Sequence, residues 1–128
     1  MLKHRVKEEG LREQAEFFAE FYGKEKATKF LENSPEIEEL PKRYSIPGVE
    51  LWWSKHAIAR GLVRRVSFES ISIMKQLKEM DLEVDEVIHV HQERLDRTLV
   101  VCKTFYSSFV VITCYRGIEE GKCRQVWI

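Results

Sequence analysis

The chain has 128 residues, 44% hydrophobic and 33% charged, with 21 basic and 21 acidic side chains that cancel. That length and hydrophobic fraction fit one domain built around one ordinary core. The zero net charge argues against a protein that coats nucleic acid through bulk charge, and no stretch nears the roughly 20 apolar residues needed to cross a bilayer.

No early apolar run follows the first charged residues, so no signal peptide is expected and the chain reads as cytoplasmic. A single Asn and four Gln against many Lys and Glu resemble the usage of proteins from hot environments.

In chain order, residues 8–32 carry a helical period. Leu11, Ala15, Phe18 and Tyr22 recur at three and four, and Phe17 and Phe21 widen the stripe, which predicts an aromatic cluster in the core. Gly23 is placed to bend or end this helix. Ser34, Pro35 and Glu36 form a helix start, with a capping Ser, Pro at the first helical position and an acid in the first turn. The short helix they open stops before Pro41, and residues 41–48, with two prolines and a glycine, read as a loop. Ser54 caps a predicted helix over 55–65, and Ser67 caps another over 68–80. Gly61 lies inside the first of these, which predicts close approach by another backbone.

After Asp85 the period changes to two. Strands are predicted over 87–93, 98–105, 109–116 and 122–128, joined as an antiparallel meander. Helices first and strands afterwards predict an α+β single domain over 1–128. Its N-terminal helices pack on one face of a four-stranded antiparallel sheet. Residues 1–50 form a helical N-terminal extension to a core over 51–128.

The charge is uneven. Residues 51–80 hold six Lys/Arg and two Asp/Glu, a local +4, whereas the segments on either side each sum to −2. Local charge of this kind suits a cleft that receives a phosphate. His56 and Arg60 stand four apart on one helix face, and Arg64 continues the row. Two readings compete: a solvated basic ridge, or a proton-transfer His beside a phosphate-binding Arg. In the predicted strands, His89 and His91 face one side, and Phe109, Val111, Thr113 and Tyr115 share a face. Arg97 precedes the strand at 98–105. Lys55 and Arg97 add positive potential. Trp52 or Trp53 can stack a base, with Trp53 preferred, while at least one of the two packs in the core.

His89 and His91 also have the spacing of a metal pair, but no third ligand stands at ligand spacing, so neither a metal nor another cofactor is expected. Three cysteines without a C-x-x-C pair exclude a zinc ribbon or a thioredoxin motif. Cys114 and Cys123 can pair only if their strands form a hairpin, and a reducing cytosol opposes the bond.

The run from Ser54 to Ile71, with His56, Ala57, Arg60, Arg64, Val66, Ser67 and Glu69 in order, resembles a small group of bacterial and archaeal domains. These read S-x-H-A-x-x-R-x-x-x-R-x-[IV]-S-x-E-x-I and end in an apolar strand like residues 110–115. That group is similar to the superfamily that unites RelE-type toxins, barnase, EndoU and colicin nucleases. The resemblance spans roughly residues 54–116. It implies a RelE-like core and metal-independent RNA cleavage, toxin-like in kind, with His56, Arg60, Thr113 and Tyr115 at matching positions. RNA carries its own nucleophile, the 2′-OH. A His can take its proton near neutral pH, and Arg can hold the phosphate. In this scheme His56 and Arg60 serve those two roles, and Thr113 donates to a phosphate oxygen. His89 or His91, with Tyr115 as runner-up, protonates the leaving 5′-oxygen. Lys55, Arg64, Arg97 and Trp53 hold substrate.

The expected partner is RNA, together with an inhibitor protein or a second copy docking on the N-terminal helices. No membrane partner is expected. The competing function is a non-catalytic binding or assembly protein of the same fold, which the neutral charge and the Phe-rich helices favour.

Overall fold

The computed structural model describes residues 2–128, with side chains from residue 7 onward. Among them are four α-helices and six strands. In chain order these are α1 (Leu2–Tyr22), α2 (Lys24–Glu32), a 3-10 helix (Pro35–Glu39), β1 (Arg43–Ile46), β2 (Val49–Trp53), α3 (Lys55–Arg64) and α4 (Ile71–Glu79). Then follow β3 (Val87–Gln92), a second 3-10 turn (Glu93–Leu95), β4 (Arg97–Phe105), β5 (Ser108–Arg116) and β6 (Arg124–Trp127).

The predicted N-terminal helix is two. Gly23 has φ +88°, a conformation that side chains disfavour, and the chain reverses there. α1 and α2 fold back on one another, so that Phe18 of α1 meets Phe30 of α2 in a tilted pair with centroids 4.3 Å apart. Leu11, Ala15, Ala27 and Leu31 are buried, but Phe17, Phe21, Tyr22 and Phe30 are exposed. Of the aromatic cluster expected in the core, only Phe18 packs against it, half-buried, and the other rings lie on the outer side of the hairpin.

The class is α+β, but the sheet is not the expected four-stranded antiparallel one. It has six strands in the order β1-β2-β5-β4-β3-β6. β1–β2, β5–β4 and β4–β3 are antiparallel, while β2–β5 and β3–β6 are parallel. Of the two missed strands, β1 lies in the segment read as a loop and β2 follows directly after it. That segment's punctuation marks strand ends: Pro41 precedes β1, and Pro47 with Gly48 at φ +86° makes the turn between Ile46 and Val49. The last strand does not continue the meander. Residues 117–123 cross the sheet's outer face, and β6 pairs with the free edge of β3. During that crossing the Glu119 N–H donates to Thr98 Oγ1 at 3.0 Å. A Cβ added to Gly121 would overlap the His89 ring. β4 and β3 thus separate β5 from β6, so Cys114 and Cys123 are not paired. All three thiols are free.

A β-bulge corrects the face assignment in β5. Val101 pairs with Val111 and Val100 with Thr113, which leaves Ile112 as the extra residue. Beyond it the alternation flips. Cys114 takes the buried position on the helix side, with its Sγ 3.4 Å from Ala57 O. Thr113 and Tyr115 leave the face shared by Phe109 and Val111.

The core forms where Leu51, Ile88, Val90, Leu99, Val101 and Val111 of the sheet meet Ile58, Leu62, Ile73, Met74 and Leu77 of α3 and α4. Each such side chain stabilises the fold by about 1.5–3 kcal/mol relative to exposure. The division drawn between residues 50 and 51 runs through β2, and Leu11 and Leu31 belong to the same core as the sheet residues.

Gly61 is crowded, but by a ring rather than a backbone. A Cβ there would overlap Phe68, whose ring is held edge-on by Trp53 at 5.2 Å and covered by the Arg12 guanidinium at 4.7 Å. Helix α4 begins at Ile71, later than predicted. Its first turn is capped by the Glu69 carboxylate, which accepts from Ser72 N at 2.9 Å.

Candidate functional site

Helix α3 starts where β2 ends. Ser54 N donates to Val111 O at 3.2 Å, and its hydroxyl donates to Ile112 O at 3.1 Å while accepting from Ala57 N at 3.0 Å. One residue thus caps the helix and closes the edge of β5 that β2 no longer covers. At the other end of α3, Arg64 Nη1 donates to Cys114 O at 3.0 Å on the same strand.

Between these anchors His56, Arg60 and Arg64 form one row along α3. The row meets Glu32, at the C-terminus of α2. His56 Nδ1 lies 2.8 Å from Glu32 Oε1, and Arg60 Nε lies 3.4 Å from His56 Nε2. An ionised carboxylate only accepts, so Nδ1 carries the proton and Nε2 presents its lone pair toward Arg60. The His56 side chain is 41% exposed and that of Glu32 27%, so the ring can be reached from solvent.

Most cations around α3 are neutralised locally: Lys55 by Glu38, Arg65 by Glu16 and Arg12 by Glu8. Arg60 and Arg64 have no carboxylate partner among the described residues. Arg64 instead lies over the Tyr115 ring, 4.5 Å from its centroid. With Lys24, Arg65 and Arg116 these two line an open cleft of about 710 Å³, which Glu16, Glu20 and Glu119 also border.

The other expected residues are placed elsewhere. Trp53 is buried and donates from Nε1 to Ser70 Oγ at 2.9 Å, so it cannot stack a base; Trp52 is the exposed ring of the pair. The alternation of β2 decides this, because one neighbour must face the core. Arg97 is fully buried. Its Nη1 donates to Ser67 O at 2.6 Å and its Nε to Gln92 Oε1 at 2.8 Å, and burial lowers its pKa to about 10. It holds the start of β4 to the segment before α4 and offers nothing to a ligand. Lys55 is paired with Glu38, whose carboxyl is pulled down to about 2 by hydrogen bonds from Lys42 and Lys55.

His89 and His91 face away from the α3 layer. His89 Nδ1 meets Glu119 O at 3.1 Å. His91 is buried between Thr98 Oγ1 at 2.8 Å and Gln125 Oε1 at 2.5 Å, with the Trp127 ring tilted against it at 4.3 Å. Thr113 lies on this same outer face, two strands from His89 through Val100. Neither histidine nor Thr113 joins His56. The structure therefore brings together His56 with Arg60, and Arg64 with Tyr115. No group of three or more His, Cys, Asp or Glu is gathered for a metal ion among the described residues.

Two participants escaped the sequence reading: Glu32, the partner of His56, and Lys24, at the cleft. Both sit on one row of α2, but nothing in the sequence marks that row as facing α3. Cys114 lies beneath the arginine row, and its thiol is pushed up to about 12 by burial, against the pull of Arg64 and Arg97.

Comparison of the chain with protein-family models, with curated proteins and with solved structures gives no match.

Proposed function

We propose that Glu32, His56 and Arg60 form the base and phosphate site of a metal-independent endoribonuclease that acts on single-stranded RNA. The observation that carries this reading is the carboxylate–imidazole–guanidinium order at 2.8 Å and 3.4 Å. Glu32 fixes the tautomer and the orientation of the ring whose Nε2 takes a proton. The long Arg60 contact is weak, so the guanidinium is free to turn to a phosphate. Arg64 stands one turn on, about 6 Å along the helix, with its charge unmatched.

In the proposed step His56 Nε2 removes the 2′-OH proton, and the 2′-oxygen attacks phosphorus. The bond to the 5′-oxygen breaks and leaves a 2′,3′-cyclic phosphate. Arg60 and Arg64 stabilise the added charge on the phosphoryl oxygens. His89 and His91 are held under residues 117–125, so the leaving oxygen takes its proton from water, and the hydroxide this leaves is neutralised by the proton that His56 gives up. A base without a placed acid supplies about 10²–10⁴-fold, so the expected enzyme is slow. The RelE-like resemblance over residues 54–116 and the +4 of residues 51–80 support the same reading. Single strands suit an exposed helix row because their 2′-OH can reach an in-line geometry.

The test is incubation of the chain and its His56→Ala variant with an end-labelled single-stranded RNA in EDTA at neutral pH. Cleavage by the parent alone, with cyclic phosphate ends and none on a 2′-deoxy substrate, is the expected result. A folded parent that cuts nothing, or cutting that survives His56→Ala, sinks the proposal.

A further inference from the structure

The outer side of the α1–α2 hairpin is apolar and has no cover among the described residues. Phe17 is 57% exposed, Phe21 66%, Tyr22 61% and Phe30 53%. The rings are ordered against one another: Phe17 lies 4.7 Å from Phe21, and Phe18 links Tyr22 at 6.1 Å to Phe30 at 4.3 Å. With full side-chain areas of about 150–250 Å² each, the four rings leave roughly 500 Å² of apolar surface per copy. That equals the largest patch a monomer ordinarily exposes.

Apart from Glu25, exposed on α2 beside Lys26, the charges next to the patch are sorted by side. At helical spacing Glu13 and Glu20 follow Phe17 and Phe21 around α1, on the flank away from α2. Lys26 and Lys29 occupy the opposite flank, on α2. All four are exposed, and none has an ion-pair partner among the described residues. The face therefore runs from acid through aromatic to base.

From this pattern we infer that the α1–α2 face docks against the same face of a second copy, about a two-fold axis parallel to the helices. Such an axis sets the acidic flank of each copy against the basic flank of the other. An axis across the helices would set acid on acid. The chosen axis also places α1 of one copy antiparallel to α2 of its partner, and the four helices close into an antiparallel bundle. The rings of the pair together remove about 1,000 Å² from water, the lower bound for a specific interface, and the charged rim adds to it. The inference rests on neither the His56 site nor its chemistry.

The experiment is sedimentation equilibrium of the full chain. The expected mass is twice the 15.2 kDa of one copy. Phe21→Asp, at a surface position, is expected to raise the dissociation constant about tenfold or more without loss of helical content. Glu13→Lys with Glu20→Lys, and separately Lys26→Glu with Lys29→Glu, are each expected to weaken self-association. Mixed together, the two charge variants are expected to form a heterodimer. A parent that stays at 15.2 kDa up to about 100 μM, in the micromolar range of weak interfaces, overturns the inference and leaves the patch to a different protein. A dimer indifferent to Phe21→Asp, or charge variants that do not pair when mixed, overturns it as well.

Discussion

Glu32 Oε1 and His56 Nδ1, 24 residues apart in sequence, lie 2.8 Å apart across the α2–α3 contact. The pair fixes the proton on Nδ1 and turns Nε2 outward. Glu32→Gln can donate from its amide and so releases the tautomer. RNA cleavage at neutral pH is expected to fall about 10²-fold or more, with the thermal midpoint nearly unchanged. The ¹⁵N spectrum of His56 reports the same event independently of activity, with the parent in the Nδ1–H form. A parent ring found in the Nε2–H form contradicts the assignment.

Arg97 is expected to matter for stability and not for ligand binding. Arg97→Met keeps much of the volume but strands Ser67 O and Gln92 Oε1, which now accept its hydrogen bonds. Gln92 is buried and Ser67 half-buried, and acceptors stranded there cost about 1–3 kcal/mol each, so urea unfolding is expected to show a loss of about 3 kcal/mol. Arg94→Ala, at an exposed position three residues earlier, is expected to stay within about 0.5 kcal/mol.

Gly61→Ala tests which of two opposed effects wins. In an open helix the change would stabilise by about 1 kcal/mol. Here the new methyl meets the Phe68 ring, which Trp53 and Arg12 hold in place. A net destabilisation of about 1–3 kcal/mol is expected. In a Phe68→Leu background the same substitution is expected to cost less, a non-additivity that denaturant melts can read.

Glu38 sets part of the acid response. Its folded pKa, held to about 2 by Lys42 and Lys55, lies below the ordinary 4.5. A lowered carboxylate contributes stability that is fully present above pH 4.5 and is lost as pH falls toward 2. The side chain is half exposed, so the contribution is small and screened by salt. The thermal midpoint of the parent is expected to exceed that of Glu38→Gln at pH 6. The gap is expected to narrow in high salt and to vanish near pH 2. A gap that widens with acid has the wrong sign for this account.

Local patterns made much of the fold legible in the sequence. Ser54 and the apolar period after it gave α3 within a residue, and the alternation in 87–116 gave three strands. Gly23 marked the break between α1 and α2. The α+β class follows from such signals, because backbone period and capping act over a few residues. The basic row of His56, Arg60 and Arg64 was equally visible, since residues four apart share a helix face whatever surrounds them.

What lies between elements was decided by the tertiary structure. Whether Trp52 or Trp53 enters the core depends on which face of β2 meets α4. A single bulged residue, Ile112, moves Thr113 and Tyr115 off the face that strict alternation gives them. β6 takes a parallel place beside β3 because residues 117–123 cross the sheet, and no local signal encodes the destination of a strand. Glu32 meets His56 only because α2 packs antiparallel to α3, and Arg97 is structural only because Gln92 and Ser67 surround it. The sequence alone determined the elements and the chemistry available on each, through short-range sterics and periodicity. Their partners depend on packing between residues distant in the chain, and only the folded molecule brings those together.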